Sequence, residues 1–165
     1  MPFTGFLYAG LMIDAAGNPK VIEFNVRFGD PETQPVMMRL RSDLSELIEA
    51  AIDGRLHEVQ ARWDPRPALG VVMAAENYPH TPRIGDVIHG LNEIEPADSK
   101  LFHAGTKLED GQVLSTGGRV LCATALGDSV RDAQAAAYAL AEQVSWLGEF
   151  HRNDIGWRAI EREQA

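Results

Sequence analysis

Three polar side chains occupy alternating positions, and two of them could hold a metal ion. Glu23, Asn25 and Arg27 are separated by Phe24 and Val26. Side chains alternate faces along a strand, so the three polar groups share one face and Phe24 is expected to point toward a core. A carboxylate beside a carboxamide oxygen suits Mg²⁺, which takes few protein ligands and leaves the rest to water and phosphate. The spacing predicts Glu23 and Asn25 as metal ligands, and leaves open a plain exposed strand face.

The next polar groups could meet a substrate. We predict Arg27 and Asp30 as catalytic residues and Glu32 as a substrate-binding residue. Arg27 would present a planar, permanently charged donor to a phosphate or acyl phosphate. Asp30 and Glu32 flank Pro31 in a loop that can hold polar groups toward a ligand. The alternative is that Glu32 only complements the dipole of a following helix.

A second candidate cluster lies further along the chain, at Lys107, Gly117, Gly118 and Arg119. Backbone N–H groups of a glycine turn, together with cations, can hold a phosphate, so we predict these four as substrate-binding residues. The alternative is a hairpin turn between strands 113–115 and 119–125, in which the glycines adopt positive φ.

The elements that must position the first cluster are a hairpin and a helix. Residues 3–13 and 20–25 are predicted as two strands, because the turn-forming run from Asp14 to Pro19 separates them. A helix is expected after Thr33, because apolar residues then recur at 3-and-4 spacing. Asp43 is a second capping residue, so the helix should break near Ser42.

The second cluster belongs to a different module. The proline-rich residues 63–67 are predicted as a linker, which makes 1–62 one domain segment and 68–165 another domain. Strands are expected over 68–75 and 100–104, besides the proposed hairpin, and a helix from Asp128 to about Trp146. The predicted fold class is α+β, with a mixed sheet and helices followed by a small α+β domain.

Composition argues against several classes of function. The 165 residues are 45% hydrophobic and 24% charged, with a net charge of −9. No basic stripe is visible, so nucleic acid is not an expected partner. No apolar run approaches the roughly 20 residues of a membrane span, and no secretory signal is seen. With Cys122 as the single cysteine, we expect a cytoplasmic location. The sequence leaves the oligomeric state open.

The motifs resemble one family over nearly the whole chain. The segment 23–34, with Arg27-Phe-Gly-Asp-Pro-Glu-Thr-Gln34 at its centre, is similar to the signature of the phosphoribosylamine–glycine ligases (glycinamide ribonucleotide synthetases), which are ATP-grasp enzymes of purine biosynthesis. The similarity continues through Leu69–Ala75, Gly85–Gly90, Phe102–Lys107, Gly117–Leu121 and Asp154–Ala159.

The resemblance implies a specific reaction. In that family, ATP phosphorylates the carboxylate of glycine, and the amine of 5-phosphoribosylamine then attacks the glycyl phosphate. The residues matching Glu23 and Asn25 bind Mg²⁺ or Mn²⁺ in the family. The likeness to related ligases extends by position to the basic stretch around Lys107 and Arg119, which would meet the ribose phosphate.

The resemblance also implies that the chain is the C-terminal portion of such a ligase. The family's N-terminal domain and ATP lid would precede it, and the isolated chain is expected to be inactive. Two alternatives remain: a non-catalytic module that binds a nucleotide or a partner chain, and another ATP-grasp ligase.

Overall fold

The computed structural model describes residues 3–91 and 96–164. It confirms the α+β class, with strands and helices distributed along the chain. The strands are β1 (Tyr8–Ile13), β2 (Pro19–Asn25), β3 (Ala68–Ala74), β4 (Ser99–His103), β5 (Thr106–Glu109), β6 (Gln112–Ser115) and β7 (Arg119–Leu126). The α-helices are α1 (Thr33–Arg39), α2 (Leu44–Ile52), α3 (Val130–Ala141) and α4 (Trp157–Glu163), and Leu56–Glu58 forms a 3-10 turn.

The chain divides into two compact units. The first contains Met1–Thr33 and Leu40–Asp64, and the second contains Gln34–Arg39 and Pro65–Ala165. Three separate antiparallel sheets form: β1–β2, β3–β7–β4 and β5–β6. The assignment of 1–62 and 68–165 to two domains of a longer ligase, joined by the linker 63–67, stays a prediction.

The predicted hairpin of the first unit is confirmed, although its first strand begins at Tyr8 and not at residue 3. Strands β1 and β2 pair antiparallel, with a bulge between Gly10 and Leu11. The Asp14 carboxylate accepts hydrogen bonds from the backbone N–H groups of Ala16 at 3.0 Å and Asn18 at 2.9 Å. The bond from Asn18 is the main reason that the pKa of Asp14 lies below its ordinary value. The turn is therefore held by its own aspartate side chain.

The predicted helix break near Ser42 is also confirmed. Helix α2 begins after Asp43, whose carboxylate accepts a 2.7 Å hydrogen bond from the N–H of Ser45. Just before it, Leu40 pairs with Trp63, and the Arg41 N–H donates to the Arg62 carbonyl at 2.9 Å. This pairing takes the chain out of helical geometry between the two helices.

The core of the second unit lies between its three-stranded sheet and α3. Strand β7 is the central strand and pairs with both β3 and β4. Seven of its eight residues are buried, and α3 packs on β7 and β3. The residues of the main core cluster are Met73, Ala75, Ile88, Val120, Leu121, Ala123, Leu140, Ala141, Val144 and Trp146.

The hairpin predicted between 113–115 and 119–125 is wrong. Strand β6 pairs with β5, and the turn between them contains Asp110 at φ 49° and Gly111 at φ 79°. Positive φ at both central residues defines the hairpin turn that matches strand twist, and Asp-Gly is its preferred sequence. The buried strand β7 instead satisfies its two edges with β3 and β4.

The last long helix is shorter than predicted. It begins at Val130, after a cap by Ser129 rather than Asp128, because the Ser129 hydroxyl oxygen accepts from the Asp132 N–H at 3.1 Å. It ends at Ala141, well before Trp146, because Ser145 forms a bridge with His89. None of the helices in the described part of the chain is both long and apolar enough to span a bilayer.

Candidate functional site

The hairpin register determines what faces the two predicted metal ligands. Glu23 lies opposite Gly10, and Asn25 lies opposite Tyr8. Cross-strand partners in an antiparallel pair project from the same face. One face of the hairpin therefore presents a carboxylate, a carboxamide and a phenol, with Gly10 leaving space beside Glu23.

The donor set fits a hard divalent cation. A Cβ on Gly10 would lie 3.1 Å from Cγ of Glu23, so a larger residue would crowd the carboxylate. Among residues 3–91 and 96–164, neither the Glu23 nor the Asn25 side chain has a hydrogen-bond or ion-pair partner. No group of three or more acidic, histidine or cysteine residues suited to a metal occurs in the same residues. Two oxygen ligands match the way Mg²⁺ is held together with substrate phosphates.

The loop after β2 is folded tightly around Gly29. The Thr33 N–H donates to the Gly29 carbonyl at 3.2 Å, and the Thr33 hydroxyl donates to the same oxygen. Gly29 is buried, and a Cβ at this position would overlap the Glu32 side chain. Glycine is therefore required here for close approach, which fixes Glu32 against the loop.

Tyr8 connects this loop to the hairpin face. Its hydroxyl donates a 3.2 Å hydrogen bond to Oε1 of Glu32. That bond, reinforced by the negative charge of Glu32, raises the pKa of Tyr8, and the nearby charge of Glu23 acts in the same direction. Tyr8 is the site residue that the motifs missed. A regular register counted back from the Asp14 turn would pair Tyr8 with Phe24, and the bulge between Gly10 and Leu11 is what brings Tyr8 opposite Asn25.

Arg27 and Asp30 lie at the start of the same loop. The Arg27 side chain donates from Nη1 to the Phe28 carbonyl at 2.8 Å, and no carboxylate pairs with it in the described ranges. The Phe28 ring stacks on Phe6, with centroids 3.9 Å apart. Asp30 is exposed. The structure thus places Arg27, Asp30 and Glu32 on one short loop next to the predicted metal ligands.

Phe24, which we expected to face a core, is 60% exposed. Val21 and Ile22 of β2 are exposed too, and so is Val26, which follows the strand. The expectation is wrong for this chain because the two-stranded sheet has no packed layer over it among the described residues.

The second cluster belongs to the second unit and is described by itself. Lys107 lies on β5, and its Nζ forms a 2.9 Å ion pair with Glu109. Arg119 is the exposed first residue of β7. Gly117 and Gly118 connect β6 to β7, and neither has positive φ. The interpretation that positive φ requires these glycines is wrong.

Close packing accounts for Gly105 and Gly118, whereas a Cβ on Gly117 would make only ordinary contact, 3.4 Å from Cα of Gly105. The Gly105 N–H donates to the Arg119 carbonyl at 2.9 Å, and the Thr116 N–H donates to the Gly105 carbonyl at 2.7 Å. A Cβ on Gly105 would lie 2.8 Å from Cα of Gly117. A Cβ on Gly118 would overlap the ring of Tyr78. The glycines therefore let three chain segments meet beside Arg119.

Two family models match the sequence. The C domain of phosphoribosylglycinamide synthetase matches residues 68–158. The ATP-grasp (A) domain of the same enzyme matches residues 1–33. The hairpin face that carries Glu23 and Asn25 lies in the region matched by the A domain. The glycine cluster, which consists of Lys107, Gly117, Gly118 and Arg119, lies in the region matched by the C domain.

Curated relatives carry the same name. The phosphoribosylamine–glycine ligase of Xanthomonas campestris pv. campestris is 68% identical over 165 residues, and that of Vibrio parahaemolyticus is 63% identical over 163 residues. Each comparison covers 99% of this chain and 38% of the relative, so the chain spans well under half of their length. The solved phosphoribosylamine–glycine ligase of Thermotoga maritima matches with a TM-score of 0.74 at 35% identity, over 90% of this chain and 36% of that one.

Proposed function

Because the chain belongs to the phosphoribosylglycinamide synthetase family, we propose that it forms part of an ATP-dependent ligase that joins glycine to 5-phosphoribosylamine. The glycine carboxylate takes the terminal phosphoryl group of ATP, which leaves ADP and glycyl phosphate. The amine of phosphoribosylamine then attacks the acyl carbon, phosphate leaves, and glycinamide ribonucleotide forms. The matching relatives have the name of this enzyme.

The observation that carries the proposal is the hairpin face itself. Glu23 and Asn25 project from one face with no other protein partner in the described part of the chain. These two oxygens would hold Mg²⁺ or Mn²⁺, which supplies charge neutralisation to the phosphates of ATP. Tyr8 lies opposite Asn25 and donates a hydrogen bond to Glu32. It therefore ties the loop to the hairpin face and holds the two in one relative orientation.

The loop residues have distinct proposed roles. Arg27 offers a charged, exposed guanidinium for the transferred phosphoryl group, where such donors stabilise developing charge. Asp30 offers an exposed carboxylate that can accept hydrogen bonds from a substrate amine, and Glu32 helps to bind the substrate.

We assign the ribose phosphate to the second cluster. Arg119 lies at the start of β7 directly after Gly117 and Gly118, and a guanidinium is suited to phosphate recognition. Lys107 forms an ion pair with Glu109, and Arg119 can present two N–H groups of one guanidinium to the same phosphate. A cytoplasmic location belongs to the same proposal.

The experiment is a coupled turnover assay on a full-length ligase that contains this segment. Sustained ADP release over many turnovers should require glycine and phosphoribosylamine together, because the amine consumes the glycyl phosphate and frees the site for the next ATP. ADP release that ignores phosphoribosylamine would contradict the proposed substrate.

A second candidate is favoured by the exposed apolar side chains of β2, where Ile22 is 65% and Phe24 is 60% exposed. Large exposed apolar patches mark contact surfaces. A module that binds another polypeptide without catalysis would bind it through this hairpin. If the hairpin served only to bind a polypeptide, Glu23→Gln would not change turnover in the full-length ligase.

A further inference from the structure

A cavity in the second unit is lined by more basic than acidic residues, whereas the chain as a whole is acidic. It has a volume of about 450 Å³ and lies against the start of α4. Its charged lining residues are Arg152, Asp154, Arg158 and Arg162, which give a net charge of +2. The whole chain has a net charge of −9. A locally cationic cavity in an acidic protein favours an anionic ligand.

The backbone that forms one wall of the cavity is fixed by side chains of α3. The Tyr138 hydroxyl donates to the Arg152 carbonyl at 2.6 Å and accepts from the Ile155 N–H at 3.1 Å. Gln134 donates from Nε2 to the Ile155 carbonyl at 2.6 Å. The segment 152–155 is therefore held in place before any ligand arrives, which lowers the cost of binding.

Glycine is required where this wall turns into α4. Gly156 has φ 85°, and a Cβ there would overlap Leu69 of β3. Ile160, one turn into α4, is buried. The side of the helix that carries Arg158 and Arg162 is thereby left on the surface, at the cavity.

The three arginines of the cavity lining differ in whether a carboxylate pairs with them. Arg152 forms a two-point ion pair with Asp154, at 2.8 and 2.6 Å, and this pair holds the pKa of Asp154 below its ordinary value. The charge of Arg152 is thus already balanced by a carboxylate.

Arg158 and Arg162 retain their charge for a ligand. The Arg158 guanidinium lies 5.0 Å from the ring centre of Trp157, and Arg162 donates from Nε to the Arg158 carbonyl at 3.2 Å. In the described ranges, neither residue forms a direct ion pair with a carboxylate, although the charge of Arg158 also helps to lower the pKa of Asp154. Trp157 is 43% exposed, so an apolar ring surface lies beside the two cations.

We propose that this cavity binds a small phosphate monoester, whose phosphate group is held by Arg158 and Arg162 and whose organic part lies against Trp157. Guanidinium groups recognise phosphate oxygens through paired charged hydrogen bonds. The volume falls within the roughly 300–1,000 Å³ of small-molecule sites. The site goes beyond the proposed ligase function, since none of its residues belongs to the hairpin face or to the glycine cluster.

The test is calorimetric titration of the 165-residue chain with inorganic phosphate, ribose 5-phosphate and AMP at low ionic strength. Arg158→Ala and Arg162→Ala should each weaken binding of the esters about tenfold, the effect of losing one charged hydrogen bond. Arg131→Ala is the matched control, because Arg131 is an exposed arginine of α3 outside the cavity lining, and it should leave the affinity unchanged.

A second measurement follows binding in the wild-type chain. The indole N–H resonance of Trp157, assigned with Trp157→Phe, should shift when an ester saturates the wild-type chain. A larger shift with AMP than with ribose 5-phosphate identifies a nucleotide, and equal shifts with both esters identify a sugar phosphate. Both results support the proposal. Failure of all three ligands to bind at millimolar concentration would overturn it, as would equal losses in the three alanine variants.

Discussion

The hydroxyl of Tyr8 donates a 3.2 Å hydrogen bond to Oε1 of Glu32, across 24 positions of sequence. Tyr8 lies on β1 directly opposite Asn25, and Glu32 lies in the loop that begins after β2. This bond joins the face proposed to hold a metal to the loop proposed to meet the substrate. The two halves of the candidate site are therefore one connected arrangement within the first unit.

The first prediction concerns the titration of Tyr8. The anionic Glu32 accepts from the neutral phenol and opposes the phenolate, which raises the pKa of Tyr8. Glu32→Gln should lower that pKa toward its ordinary value of about 10. The phenolate absorbance of the chain, minus that of Tyr8→Phe, measures the change.

The sign of the pH dependence follows from the raised pKa. The stabilisation by this bond is complete below the ordinary tyrosine pKa, and it is lost as the pH rises through the higher folded-state value. Glu109→Gln is the control, because Glu109 lies on β5 and pairs with Lys107. An unchanged Tyr8 titration in Glu32→Gln would contradict the connection.

The second prediction concerns close packing at Gly118. A Cβ at this position would overlap Tyr78, so Gly118→Ala should destabilise the chain by about 1–3 kcal/mol through overpacking. Urea unfolding measures the loss. In a Tyr78→Ala background the same substitution should cost clearly less, and an equal cost in both backgrounds would count against steric overlap.

The third prediction concerns the ribose phosphate. In a full-length ligase that contains this segment, Arg119→Ala should raise the KM for phosphoribosylamine about tenfold, with a much smaller change in the KM for ATP. Lys107→Ala should have the smaller effect of the two, because an ammonium group acts as a point charge and lacks the paired hydrogen bonds of a guanidinium. An unchanged KM for phosphoribosylamine in Arg119→Ala would leave the glycine cluster with a purely structural role.

The fourth prediction separates this chain from a full-length ligase. The chain spans 38% of the length of its curated relatives. Holding all reactants in position can contribute about 7–11 kcal/mol to lowering a barrier. We expect no measurable glycinamide ribonucleotide from the 165-residue chain with saturating ATP and Mg²⁺. Turnover at the rate of a full-length relative would show that the essential groups all lie within these residues.

Local signals predicted much of the first unit. The turn chemistry of Asp14 and Asn18 was sufficient for the hairpin, and the capping pattern at Asp43 was sufficient for the helix break. Each of these depends on contacts within a few residues. The alternation of Glu23 and Asn25 likewise gave their shared face.

Pairing between distant segments was not predictable in the same way. The strand 119–126 could pair with any of several apolar runs, and the Asp110–Gly111 turn determines the partner of β6. The Tyr8–Glu32 bond depends on how the loop folds back over Gly29. The cavity of Arg158 and Arg162 depends on hydrogen bonds from α3, which no local motif encodes.

The most direct test of the central claim is the Mg²⁺ dependence of turnover in a full-length ligase with Glu23→Gln. The substitution is nearly isosteric and removes the one charged ligand from the hairpin face, while Asn25 remains. We expect the variant to fold, to need at least about tenfold more Mg²⁺ for half-maximal rate, and to lose most of its activity at limiting Mg²⁺. Glu46→Gln, which removes an exposed carboxylate from α2, is the matched control and should follow the wild-type curve. A Glu23→Gln curve that overlies the wild-type curve would contradict the assignment of the metal to this face.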